Sequence, residues 1–278
     1  MRLVVGKRLR TTAIAIAASV GINGGTVATL SVSANGFDSA NTTRAASIRT
    51  VGASAATRPA IRYGQLPVTF EPNEGQVDSK VKFIARTAGG RAFITADQAI
   101  IAMQARKTET RNANLGEAGH QTVVNSGSIA MKLEGRNLTP KVEGLDRAPG
   151  TINYFIGNDP KNWHTNIPTF TIVKESGVYP GIDLVYHPAD SNPGQLEYDF
   201  FVAPRANPAR IAISYNGATD MHLERGDLIL KTSAGELRQA APIAYQEVGG
   251  VRKTVACKFE IRGKYRRTAS FRLGAYDH

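Results

Sequence analysis

Three carboxylates in one short stretch, Asp183, Glu197 and Asp199, are the acids best placed to do chemistry together. Paired carboxylates can hydrolyse a glycosidic bond, one as general acid and the other as nucleophile or base. With loop Asp190 they also offer the hard oxygen ligands that calcium takes, although the Asp-x-Asp-x-Asp-Gly spacing of a calcium loop is missing. Asp183 alternates out of phase with Ile182 and Leu184, and Glu197 and Asp199 out of phase with Leu196, Tyr198 and Phe200. Solvent-facing charges on a half-buried hairpin give the same alternation. The reading taken is of solvated acids with no catalytic residue. Asp183 and Asp199 are kept as candidate calcium ligands, and no other cofactor is expected.

Trp163, the one tryptophan, lies in Lys161-Asn162-Trp163-His164-Thr165-Asn166. Exposed beside Asn and His it would suit stacking on a sugar ring; buried it would anchor a turn against a sheet, which is the preferred reading. Trp163, Tyr186 and Tyr198 are the candidate ligand-binding residues, with Tyr154 as a further aromatic. Asn158-Asp159-Pro160 is turn chemistry, since Asx side chains bond the local backbone and Pro fixes φ. Cys257 alternates with Val255, Phe259 and Ile261, which predicts a buried, inert thiol. The histidines (His120, His164, His187, His222, His278) show no metal-ligand spacing, and no Gly-x-Ser-x-Gly elbow or phosphate-binding loop is present. No reaction follows from these residues.

The elements that would position them are short strands. Ile182–His187 and Leu196–Val202 flank a Pro/Asp/Ser/Asn/Gly cluster and read as a hairpin. Val81–Arg86 and Arg91–Thr95 flank Thr87-Ala88-Gly89-Gly90. Ala99–Gln104 and Ser128–Glu134 follow, separated by a polar stretch, Lys107–Gly127, that reads as a long exposed loop. Beyond the central hairpin come Arg210–Tyr215, Met221–Glu224, Leu228–Thr232, Glu236–Ala240 and Ile243–Val248. Val255–Arg262 and Thr268–Leu273 then pair across Gly263-Lys264-Tyr265. Spacing of this kind predicts an all-β, antiparallel β-sandwich-type architecture, with two packed β subdomains as a variant.

The chain has 278 residues and a formal net charge of +11. The excess sits at the ends: Arg2, Lys7, Arg8 and Arg10 near the start, and eight basic residues against Glu260 within 252–272. Residues 66–251 are slightly acidic, so a nucleic-acid-binding surface is not expected. The C-terminal basic residues read as charge on a solvated sheet edge that deters strand pairing. Met1–Arg10 leads into an apolar run, Ala13–Ile22, and then to Val32-Ser33-Ala34, the order of a secretory signal peptide. The domain expectation is therefore a signal peptide over 1–34, a disordered Ala/Ser/Thr/Arg-rich linker over 35–65 and a β-rich extracellular domain over 66–278, with no transmembrane span in the mature chain.

Five blocks carry a family likeness: LPVTFEPNEGQVDSKVKFIAR (Leu66–Arg86), NYFIGNDPKNWHTNIPTF (Asn153–Phe170), VYPGIDLVYH (Val178–His187), GQLEYDFFVAPRANPARI (Gly194–Ile211) and ELRQAAPIAYQEVGG (Glu236–Gly250). In that order they resemble the N-terminal domain of secreted bacterial proteins carrying SBBP, seven-bladed β-propeller-type, repeats. The resemblance implies an extracytoplasmic β-rich module without assigned activity. In that family repeats follow the Gly-Ala-Tyr-Asp segment, whereas this sequence stops at His278.

The expected function is thus a non-enzymatic module of a secreted or cell-surface protein with a structural, adhesive or assembly role, its partner a surface glycan or protein. A carbohydrate-binding module is the second reading, and a glycoside hydrolase using Asp183, Glu197 and Asp199 the third.

Overall fold

The computed structural model describes residues 14–23, 67–87, 90–110, 120–190, 192–263 and 267–277. The expected linker, and the basic and small-residue parts of the expected signal peptide, lie outside them. The strands in chain order are β1 (Ile14–Asn23), β2 (Phe70–Pro72), β3 (Val81–Thr87), β4 (Gly90–Thr95), β5 (Gln98–Thr110) and β6 (His120–Leu133). The central part holds β7 (Lys141–Tyr154), β8 (His164–Tyr179), β9 (Ile182–Pro188), β10 (Leu196–Val202) and β11 (Ala212–Asn216). The last are β12 (Asp220–Glu224), β13 (Asp227–Thr232), β14 (Gly235–Gln239), β15 (Ile243–Val248), β16 (Val251–Val255), β17 (Cys257–Arg262) and β18 (Thr268–Leu273).

Every pairing is antiparallel. Leaving β1 aside, the ladders form an open 12-stranded sheet and two smaller sheets. The large sheet runs β17-β18-β11-β6-β5-β4-β3-β2-β8-β9-β10, with β7 paired to β8. The smaller sheets are the β12–β14 meander and the β15–β16 hairpin. β1 pairs with β10, β14 and β15, so it stitches all three together. The fold is all-β, as the strand spacing predicts. Among the described residues no helix is long and apolar enough to cross a membrane.

Period-two burial explains most of these strands. Ile182, Leu184 and Tyr186 on β9 and Leu196, Tyr198, Phe200 and Val202 on β10 fall on one buried face. They join one apolar core with Phe70, Ile94, Ile129, Ile213, Leu230 and Phe271.

Three expectations differ from the structure. Of the polar stretch from Lys107 to Gly127, residues 107–110 and 120–127 are strand rather than loop, and 111–119 lie outside the described residues. β5 and β6 pair continuously from Gln98↔Lys132 to Thr110↔His120, because main-chain ladder bonds extend a hairpin beyond its apolar part. β7 and β8 are long strands where no alternation announces them. The apolar run Ala13–Ile22 is the third. Its branched residues Ile14, Ile16, Val20 and Ile22 recur at even positions, which is strand periodicity, and residues 14–23 are built into the sheet as β1. The structure thus gives no support to the signal-peptide reading of that run.

Candidate functional site

The β9–β10 ladder positions the acids. Glu197 stands opposite His187, Asp199 opposite Val185, and Asp183 opposite Phe201. Side chains two apart on a strand share a face, so Asp183, His187, Glu197 and Asp199 lie together on the face away from the core. That face is not simply solvated. Asp199 is only 1% exposed, which corrects the expectation for this acid.

Asp183 is committed to its own neighbourhood. One carboxylate oxygen lies 2.9 Å from Lys174 Nζ, and the other accepts the Gly177 N–H at 2.7 Å. Gly177 sits at an irregularity where the β8–β9 register shifts, with φ of +66°, a conformation that favours glycine. Asp183 therefore holds a bulge in place.

His187 and Asp199 form a buried pair. His187 Nε2 is 3.3 Å from Asp199 Oδ2, while Nδ1 is 2.8 Å from the Pro188 carbonyl oxygen. A carbonyl only accepts, so Nδ1 carries a proton, and Nε2 must carry another to meet an ionised Asp199. Burial works against the imidazolium, but the hydrogen bond and charge of Asp199 outweigh it and raise the His187 pKa. Burial likewise raises the Asp199 and Glu197 carboxyls, with His187 opposing both shifts. The pair keeps a proton that free side chains would release. Among the described residues no group of three or more His, Cys, Asp or Glu is placed to hold a metal ion.

The aromatic candidates separate by burial. Tyr186 and Tyr198 are 3% and 1% exposed, so neither offers a stacking face, contrary to expectation. Both sit on the core side of their strands, in phase with Leu184 and Phe200. Tyr198 donates to Gln239 Oε1 at 2.9 Å, and Tyr186 lies against Glu175. Trp163 is 38% exposed and forms the surface of a tip between β7 and β8 with Phe155 and Ile156, 64% and 46% exposed. Its position follows from local chemistry. Asp159 caps a 3₁₀ turn, Pro160–Asn162, by accepting the Lys161 N–H at 3.0 Å, and Pro160 fits the first turn position. The indole N–H donates to the Gly157 carbonyl at 3.2 Å, and the Phe155 ring packs edge-on at 5.1 Å. Trp163 both pins the turn and shows a face to solvent.

Sequence reasoning missed three buried polar clusters. Arg136 and Glu175 form an ion pair with both side chains at most 1% exposed. Burial raises the Glu175 carboxyl against the opposing charge of Arg136. Glu71, 1% exposed, accepts the Tyr154 hydroxyl, which in turn accepts from Arg86 at 3.0 Å. Gln239, fully buried, accepts both the Tyr198 and Tyr215 hydroxyls. One signal was available: Glu175 shares the phase of buried Val173 on β8, a polar residue at a core position.

A family model described as "Domain of unknown function (DUF7948)" matches residues 70–278. No curated protein and no solved structure matches the chain. The resemblance to the leading domain of SBBP repeat proteins is corrected accordingly. The matching family carries no propeller or repeat description, and the sheet is open rather than divided into blades.

Proposed function

We propose that this chain, which belongs to the family of domain of unknown function DUF7948, is a non-catalytic module that docks on a surface glycan or protein through the tip formed by Phe155, Ile156 and Trp163. The observation that carries the reading is that tip. Three large apolar side chains stand clear of the core on a turn made rigid by the Asp159 cap and the indole hydrogen bond. Rigid aromatic residues supply contact area at little entropic cost, which suits adhesion or assembly. A non-enzymatic role is supported by the commitments of the acids. Asp183 holds a bulge and Asp199 pairs with buried His187, which among the described residues leaves Glu197 without a second free carboxylate from that trio.

Carbohydrate binding is the second reading, favoured by the exposed indole beside the Phe155 edge. The place proposed for the module is outside the cytoplasm, a cell surface or its surroundings, to be tested by fractionating the producing cells. The sheets are read as packing in a sandwich-like manner, their inner faces around the one core.

The experiment is a glycan array and a cell-surface binding assay with the native chain, Phe155→Ala and Trp163→Ala. Binding should fall at least roughly tenfold in each variant, as for interface anchors, with the fold retained by circular dichroism. Binding unchanged in both would remove the tip from the function. Glycan turnover that disappears in Glu197→Gln would replace the reading with the hydrolase.

A further inference from the structure

We infer that the groove between β12 and the β17–β18 hairpin docks an extended acidic segment of a partner protein, with carboxylates at alternate positions and apolar side chains between them. The groove is open, about 530 Å³ in volume. Among the described residues β12 pairs with β13 alone and β17 with β18 alone, so each strand ends its sheet. Four consecutive residues of β17, Lys258 to Ile261, line the groove. Neighbours on a strand point to opposite faces, so the groove runs along the strand's edge. Two ladder bonds fix the phase of that edge. The Gly274 N–H donates to the Ala256 carbonyl at 2.7 Å, and the Tyr215 N–H to the Arg267 carbonyl at 3.0 Å. Even-numbered residues of β17 and β18 therefore bond one another, and the main-chain groups of Cys257, Phe259 and Ile261 turn away from β18. Leu223 of β12, 43% exposed, lines the groove with Phe259 and Ile261 and gives it an apolar floor.

Charge decides what this edge takes. On the solvent face Lys258 stands directly opposite Arg272, a like-charge cross-strand pair that costs stability when nothing anionic meets it. Glu260, on the same face, is already held by Arg262, with Nη2 at 2.5 Å, and by Arg272. Those hydrogen bonds lower its carboxyl below the ordinary range. Lys258 meets no carboxylate among the described residues, so three cations share Glu260. The acids of the far lip are taken as well: Asp220 lies 2.8 Å from His222, and Glu224 2.6 Å from Arg238. Cations on a strand edge repel a basic strand and draw an acidic one. They disfavour a second copy of this chain, whose β17 brings the same cations, and residues 24–66, which hold four arginines against Asp38. An added strand alternates in step with β17. Residues beside Lys258 and Arg262 come to the solvent face, where carboxylates meet cations; those beside Phe259 and Ile261 turn to the apolar floor. The residue beside Glu260 must be neutral. The order Glu-Val-Thr-Val-Glu meets these demands in either chain direction. This site is independent of the aromatic tip, which lies between β7 and β8.

The test is fluorescence anisotropy with the full chain and a labelled synthetic peptide built on Glu-Val-Thr-Val-Glu. Saturable binding that weakens with added salt is expected. Lysine in place of both glutamates, or the same residues in the order Glu-Glu-Thr-Val-Val, should weaken it at least about tenfold. Lys258→Glu should weaken it as much while raising thermal stability, because an attracting pair with Arg272 replaces a repelling one. Trp163→Ala, in the aromatic tip, should leave it unchanged. In hydrogen exchange the bound peptide should protect the Phe259 and Ile261 amides. The Lys258 and Glu260 amides, already bonded to β18, should stay as they were. No saturation at about 1 mM peptide would overturn the inference. Equal binding of the reordered peptide or of an acidic polysaccharide would do the same, since the groove would then read charge without main-chain pairing. Binding kept in Lys258→Glu, or lost in Trp163→Ala with the fold intact, would place the peptide elsewhere and overturn it equally.

Discussion

At Asp199 and His187 the contacts bear on where a proton is held. With Nδ1 donating to Pro188, a neutral imidazole would turn a lone pair toward the Asp199 carboxylate, so the folded pair retains a proton. The His187 pKa is raised above its ordinary 6.5. The stability it contributes is complete below that value and lost as pH rises through the higher folded value. Burial of Asp199 acts in the same direction from its ordinary 3.8 upward, because ionising it in the folded chain is unfavourable. Denaturant unfolding should therefore show stability falling as pH rises above His187's ordinary 6.5. Asp199→Asn offers an amide N–H to a neutral Nε2, so this variant should lose the pH dependence and exceed the native chain in stability once His187 is deprotonated. An unchanged pH profile in Asp199→Asn would refute the pairing. Cys257 gives a second check. It is half-buried against the core, and burial pushes its thiol up to about 12. The native protein should label slowly with thiol reagents at pH 8 and quickly in denaturant; rapid native labelling would place Cys257 elsewhere. Alternation put Cys257 on the right side of its strand. It misjudged Asp199, because a strand's outer face can be covered, and period two says nothing about covering.

Elements with clean alternation were legible; those held by main-chain ladders or polar cores were not. β3, β4, β9, β10, β13 and β14 announce themselves through buried residues two apart, and Tyr179-Pro180-Gly181 marks the β8–β9 turn, with Gly181 at φ +72°. β7 exposes most of its side chains and so lacks the pattern altogether. The polar clusters escaped because partners such as Arg136 and Glu175, or Tyr198 and Gln239, are far apart in sequence and meet only through topology. Gln239 is the clearest case, since one side-chain oxygen accepts hydroxyls from β10 and β11 while its own strand is β14. Burial keeps both phenols protonated, that of Tyr215 with a pKa of about 12. Gln239→Leu leaves two buried donors without an acceptor and should cost about 2–4 kcal/mol. In a Tyr198→Phe/Tyr215→Phe background the same change should cost much less, because no orphaned hydroxyl remains. Equal costs in both backgrounds would mean that cavity and shape effects, not the hydrogen bonds, set the penalty.

On the scale of the whole molecule, an all-β chain could be read from turn chemistry and strand spacing, whereas the joining of its sheets could not. Nothing in a strand's own sequence says which distant edge it meets. The same apolar run serves as a leader's hydrophobic part or as a strand, and only pairing partners decide. Here β1 has partners on both sides, β10 on one and β14 and β15 on the other. A proline at its centre lacks the N–H and fits only at sheet edges, so Ile16→Pro should cost roughly 3 kcal/mol if β1 stays in place. If β1 instead leaves the sheet, the cost appears as a loss of coupling. Hydrogen exchange in Ile16→Pro should then accelerate in β10, β14 and β15 and in the meander and hairpin they lead to. The β3–β5 region, whose ladder pairing reaches β1 through β2, β8, β9 and β10, should keep its protection. Uniform acceleration across all strands would show one cooperative unit in which β1 is no more than another strand. Acceleration confined to the three strands that touch β1, and the small sheets beyond them, would show that this segment makes three sheets into one.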